Sequence, residues 1–226
     1  MTKTVAVILS GCGVYDGAEI HESVLTLLRL DQRGAVVKCF APNIPQHHVI
    51  NHLTGEEMPE SRNVLVESAR IARGAIEDLR EADVTEFDAL IIPGGSGAAK
   101  NLSNFSTQGA GCKVQAEVLA MAEAFAAAGK PIGLICVSPA LAAKIYGPGV
   151  TCTIGNDADT AAAINRMGGT HQECEVTEIV EDKDRKLVST PAYMVATSIG
   201  EAASGINKLV DRVLELVQEN DDRLAD

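Results

Sequence analysis

The chain has no tryptophan, and aromatic residues make up only 3% of its 226 positions. It therefore offers no stacking platform for bases or sugars. Basic residues are in deficit: 19 Lys and Arg stand against 31 Asp and Glu, a formal net charge of −12. Nucleic acids and anionic membranes are bound mainly through basic surface, so neither is expected as a partner. Long hydrophobic runs are missing too. The first apolar run, residues 5–9, is too short for a signal-peptide core, and no segment approaches roughly 18 uninterrupted apolar residues. With no export signal, the expected location is the cytoplasm, with all six cysteines reduced. No two cysteines form a CxxC pair, so structural zinc is not expected.

What is present is an ordinary globular balance, 46% hydrophobic and 22% charged, over a length that suits one domain spanning 1–226. Strand and helix signals alternate along it. Residues 4–10 form a continuous apolar run, as in a strand buried on both faces. Residues 18–33 carry apolar positions at helical spacing, with Gly34 where a helix ends. Strands follow at 35–40, 87–95 and 131–135, with a short extended piece at 75–79. Helices are expected at 62–73, from Ala98, and over 113–128, 137–145, 157–167 and 195–218. Two alternating segments, 173–180 and 186–190, flank a charged turn and predict a hairpin. Residues 41–61 are rich in Pro, Asn and Gly and predict a long irregular excursion. The fold class that follows is α/β: a single domain with a mostly parallel sheet sandwiched by helices and a C-terminal β-hairpin.

Ligands of such sheets bind beyond the carboxyl ends of the strands. Cys136 lies there, where GLIC runs into VSPALAAK with no intervening loop. That is the geometry of a nucleophile elbow, and a helix N-terminus beside it would lower the thiol pKa. The alternative is a buried structural cysteine. Pro93-Gly94-Gly95-Ser96-Gly97 could present backbone N–H groups to an oxyanion or carboxylate, or be a plain tight turn. Glu19 and Glu22 share a helix face and either could act as a general base, or both could be solvated surface. His47, His48 and His52 lack the spacing of a metal site, and His171 has the same status; no metal ligands are expected.

The order of these pieces resembles the ThiJ/PfpI superfamily, with its class I glutamine-amidotransferase-like, flavodoxin-like fold. SGCGVYDGAEIHE (10–22), FAP (40–42), INHLTGE (50–56), SRNVL (61–65), PGGSGAAKNLSNF (93–105), TPAYM (190–194) and EAASGI (201–206) resemble its ElbB subfamily over nearly the whole chain. Members of that subfamily are called isoprenoid biosynthesis or enhancing lycopene biosynthesis proteins and are described as glyoxalases. The resemblance implies Cys136 as nucleophile, Glu22 as the carboxyl that hydrogen-bonds it, and oxyanion-type donors from Gly94, Gly95 and the N–H of Val137. It also implies a homodimer.

Several superfamily members carry His directly after the nucleophile, where this chain has Val137. The amidotransferase His-Pro-Glu is replaced here by Thr190-Pro191-Ala192-Tyr193-Met194. A glutaminase or protease triad is thus incomplete. A thiol and a carboxyl suffice for a cofactor-free glyoxalase acting on a small dicarbonyl, glyoxal or methylglyoxal. Cys12, in the loop after the first strand, is either a second thiol of that site or a bystander. The competing reading is a non-enzymatic oxidation sensor with a low-pKa, partly exposed Cys136 and a protein partner.

Overall fold

The computed structural model describes residues 1–225. Strand β1 (Thr4–Ile8) places Val5 and Val7 in one apolar cluster and Ala6 and Ile8 in another. This is the period-2 alternation of a strand covered on both faces. β2 (Val36–Ala41), β3 (Ile76–Asp78), β4 (Ala89–Ile92), β5 (Ile132–Ile135), β8 (Val180–Asp182) and β9 (Leu187–Thr190) join it in one seven-stranded sheet, ordered β3-β2-β1-β4-β5-β9-β8. Every pairing is parallel except β8 with β9.

Helices cover both faces. On one lie α1 (Ile20–Gln32), α2 (Val64–Ile71) and the long α8 (Ile199–Ala225), whose Ile206, Leu209, Val210 and Val213 are fully buried. Arg29 of α1 makes a two-pronged ion pair with Asp211 of α8 at 2.6 and 2.9 Å. The other face carries α3 (Ser96–Lys100), the single turn α4 (Phe105–Gln108), α5 (Ala116–Ala127) and α6 (Ala142–Tyr146), packed around Phe40, Phe87 and Phe125. Phe40 and Phe87 meet edge to face, ring centroids 5.5 Å apart. Small aliphatic residues fill most of what remains.

Several sequence expectations shift. The helix expected over 137–145 is a 3₁₀ turn, Ser138–Leu141, running into α6. Pro139 sits in that turn, and Ala140 bonds back to Val137 with the tighter 3₁₀ spacing. The hairpin shortens to β8 and β9, and residues 173–179 form no strand. α5 starts at Ala116, where the Gln115 side chain accepts from the Val118 N–H. The final helix begins at Ile199 and continues to Ala225. β6 (Thr151–Cys152) was not foreseen; it pairs in parallel with β7 (Thr170–His171), which holds His171 in a strand as its sequence suggested, the two lying on either side of α7 (Ala158–Arg166).

The 41–61 excursion is pinned rather than loose. Isolated bridges join Pro45 to Asn63 and Ile50 to Glu57. The Ile50 N–H donates to Asp16 Oδ2 at 2.8 Å, and His52 Nε2 accepts from the Tyr15 N–H at 3.2 Å. The excursion thereby steadies the 11–17 loop at the carboxyl end of β1.

Candidate active site

β5 delivers Cys136 to the carboxyl edge of the sheet with φ 64°. A non-glycine residue in the left-handed region is strained by about 1–2 kcal/mol. The strain is held from both sides. The Cys136 N–H donates to the Thr190 carbonyl at 3.0 Å, and Ser138 Oγ donates to the Pro93 carbonyl at 2.9 Å. The elbow expected from the sequence is therefore present.

Glu22 comes from the first turn of α1 and has no exposed surface. Its Oε1 accepts from the Gly94 N–H and its Oε2 from the Tyr193 N–H, both at 3.1 Å, and the carboxyl lies beside the Cys136 thiol, the two meeting over Gly94. Glu19 takes a different part: its carboxylate accepts from the Glu22 N–H at 2.7 Å, capping the helix that carries Glu22. Choosing Glu22 over Glu19 as the partner of Cys136 thus agrees with the geometry.

Gly94 has to be glycine. A Cβ there would overlap Cys136 Cβ and lie 2.6 Å from Glu22 Oε1. Its N–H was expected to be free for an oxyanion, but it holds the Glu22 carboxylate instead. The Gly95 and Val137 N–H groups lie near the Cys136 sulfur and favour its ionised form, the position from which they could follow charge onto a bound oxygen.

The electrostatics correct a second expectation. Burial pushes the Glu22 carboxyl up to about 7, against the two N–H donors that favour its ionised form, and the charge of Glu19 adds to the rise. Burial also pushes the Cys136 thiol well above its ordinary value, helped by the negative charge of Glu22. A lowered thiol was expected from a helix N-terminus. The turn after Cys136 is 3₁₀ and Cys136 is only 6% exposed, so the dipole is short and the burial large. The pair accommodates one negative charge far more readily than two.

Cys12 stays outside this pair. The charges acting on its thiol belong to Glu67, Arg70 and Asp16, which places it toward α2, and burial raises its pKa. His47 and His48 lie against each other with their rings tilted by 59°, and His48 Nδ1 lies 3.6 Å from Glu57. Among the described residues no group of three or more His, Cys, Asp or Glu side chains is placed to hold a metal ion. His171 Nε2 accepts from the Ile154 N–H, a structural contact.

Two contributors were missed by the sequence reading. Asn101, 6% exposed, donates from Nδ2 to the carbonyls of Ser10 and Asp16, tying the 11–17 loop to α3. Tyr193 reaches Glu22 through its backbone N–H, which no side-chain motif could announce. Its hydroxyl meets His21 Nδ1 at 2.6 Å.

No protein-family model matches the chain. A human mitochondrial protein, glutamine amidotransferase-like class 1 domain-containing protein 3, is 50% identical over 222 residues, covering 94% of this chain and 82% of that one. The crystal structure of an isoprenoid biosynthesis protein with an amidotransferase-like domain from Ehrlichia chaffeensis superposes with a TM-score of 0.90 at 40% identity, covering 96% of this chain and all of that one. Glyoxalase III from Candida albicans shares the fold alone: its TM-score is 0.62 at 13% identity over 95% of this chain and 97% of that one. The cytoplasmic expectation is overturned by the mitochondrial relatives. Free thiols do not separate the two compartments.

Proposed function

From the premise that the chain belongs to the glutamine amidotransferase-like class 1 family, with the DJ-1/ThiJ/PfpI fold, we propose that it is a cofactor-independent glyoxalase of the ElbB type. Its substrates are small dicarbonyls, glyoxal or methylglyoxal. One observation carries the reading: at a strained elbow a buried thiol lies beside a carboxyl poised near neutrality, with the Gly95 and Val137 N–H groups close to the sulfur. Brønsted behaviour favours a proton-transfer group whose pKa lies near the working pH.

The thiol is protonated at rest, so Glu22 acts first as a base. As sulfur attacks the aldehyde carbon, the S–H proton passes to the carboxylate and then to the former carbonyl oxygen, giving a hemithioacetal. The Gly95 and Val137 N–H groups stabilise charge developing on that oxygen. Glu22 next takes the proton from C1 and returns it at C2, while the C1 hydroxyl proton passes to the C2 oxygen. C1 is thereby oxidised to a thioester and C2 reduced to an alcohol. Water adds to the thioester, the C–S bond breaks, and sulfur recovers a proton as glycolate or lactate departs. One carboxyl performs every transfer, which implies low turnover.

The amidase alternative lacks its histidine. His21 bonds Tyr193 rather than sulfur, and Val137 follows the nucleophile. An oxidation sensor calls for an exposed, acidic thiol, and Cys136 is 6% exposed with a raised pKa. The fold shared with a glyoxalase III and the likeness to an isoprenoid biosynthesis protein support the glyoxalase reading. The test is glyoxal and methylglyoxal consumption by purified, metal-stripped protein without glutathione, with the 2-hydroxy acid identified as product. No acid formed above a Cys136→Ala control refutes the proposal.

A further inference from the structure

The segment after β9 holds both members of the pair. The Thr190 carbonyl takes the Cys136 N–H, and the Tyr193 N–H grips Glu22 Oε2. Between them Ala192 is fully buried at φ 44°, a strained position for a residue with a Cβ. A strained turn keeps its shape only if its neighbours over-determine it. Tyr193 supplies such a hold at its far end, where its hydroxyl lies 2.6 Å from His21 Nδ1. His21 immediately precedes Glu22 on α1, so the contact ties the turn to the very stretch of helix whose carboxyl the turn must reach.

We infer that Tyr193 is a positioning residue for Glu22, the His21–Tyr193 contact acting as a latch that keeps the Tyr193 N–H on the carboxylate. The inference rests on the reading of Glu22 as the proton-transfer group. Its content is that a side-chain contact at the surface sets the acidity of a buried acid through one backbone donor. The titratable groups around Glu22 are Glu19 on its own helix, Cys136 at the end of β5 and Tyr193 in this turn. Only the last is joined to a surface side chain whose loss would free a donor.

The test separates the latch from the enzyme activity. In a Cys136→Ser background, where the thiol no longer couples to the carboxyl, Glu22 is titrated by carboxyl ¹³C NMR. Adding Tyr193→Phe keeps the ring and removes the hydroxyl. The expected result is a midpoint displaced to higher pH by about half a pH unit, because an N–H donor that favours the ionised form has loosened. His21→Ala should give a similar displacement, and the two changes together no more than either alone. With Cys136 intact, Tyr193→Phe should move the acid limb of kcat in the same direction and leave KM within about twofold. An unmoved Glu22 midpoint in Tyr193→Phe overturns the latch, as does simple addition of the two displacements. Displacement without any dicarbonyl turnover in the wild type upholds the latch and refutes the glyoxalase reading instead.

Discussion

Glu22→Gln converts the buried carboxyl into a neutral group of the same size, and its effect on stability can be worked from the titration. The carboxyl ionises near 4.5 when unperturbed and at about 7 in the fold. Between those values the native state holds a proton that the unfolded chain has released, so stability falls as pH rises through this window. At about 1.4 kcal/mol per pH unit, the wild type should lose about 3 kcal/mol from this one group between pH 4.5 and 7. The amide introduced by Glu22→Gln cannot ionise, so the variant should not show this loss. Its nitrogen must face one of the two N–H donors, which costs about 1–3 kcal/mol at every pH. That offset is constant, whereas the ionisation penalty is not. The difference in unfolding free energy, variant minus wild type, should therefore rise by about 3 kcal/mol from pH 4.5 to pH 8. Urea denaturation with both proteins side by side measures it, and subtraction removes the other acidic groups. Staying at or below pH 8 keeps the Cys136 thiol protonated in the wild type, since burial holds it well above its ordinary range. A difference that stays flat across this interval would show that Glu22 is not perturbed by burial, and the acid–base assignment would fall with it.

Glu22→Gln should also lower kcat by about 100-fold or more, the scale of a lost general base, in a dicarbonyl assay. Cys136→Ser should retain less than a tenth of wild-type kcat/KM while melting close to the wild type, since the exchange is nearly isosteric; retained activity would reassign the nucleophile. Glu19→Ala removes a helix cap and should cost about 1 kcal/mol in stability, read by thermal melting, with turnover kept. Gly94→Ala brings a methyl against Cys136 Cβ and Glu22 Oε1, and should abolish turnover and destabilise by about 1–3 kcal/mol.

The sheet was legible because β1, β4 and β5 are apolar on both faces, a pattern that only a doubly covered parallel sheet imposes. Cys136 was legible because a strand running without a loop into a turn leaves one residue at the corner. Helix phase left Glu19 and Glu22 open, and the choice of Glu22 came from the resemblance, with Gly34 matched to the family's helix-ending glycine. The sign of the thiol shift was not legible, since burial depends on what closes over the site from Tyr193 and Gly94. Nor was the use of the Gly94 N–H, because glycine in a turn signals conformational freedom and says nothing about where its donor points. The β6–β7 pair consists of two residues per strand, too short to carry any periodicity. Alternation over 173–180 suggested a strand, but only residues from Val180 onward find a partner in β9.

The place of β9 between β5 and β8 bears on how the protein is made. Synthesis runs from the N-terminus, so Glu22, Gly94 and Cys136 leave the ribosome well before the strand that completes their surroundings. Until residues 187–190 arrive, β5 presents an all-apolar open edge, Ile132–Ile135, of the kind that pairs with foreign strands. Until Tyr193 arrives, the Glu22 carboxylate has one N–H donor instead of two. Pairings across such sequence distances slow folding. A nascent or C-terminally clipped chain would thus combine an aggregation-prone edge with an unfinished thiol site, and both close in a single late step when the last strand threads into the sheet.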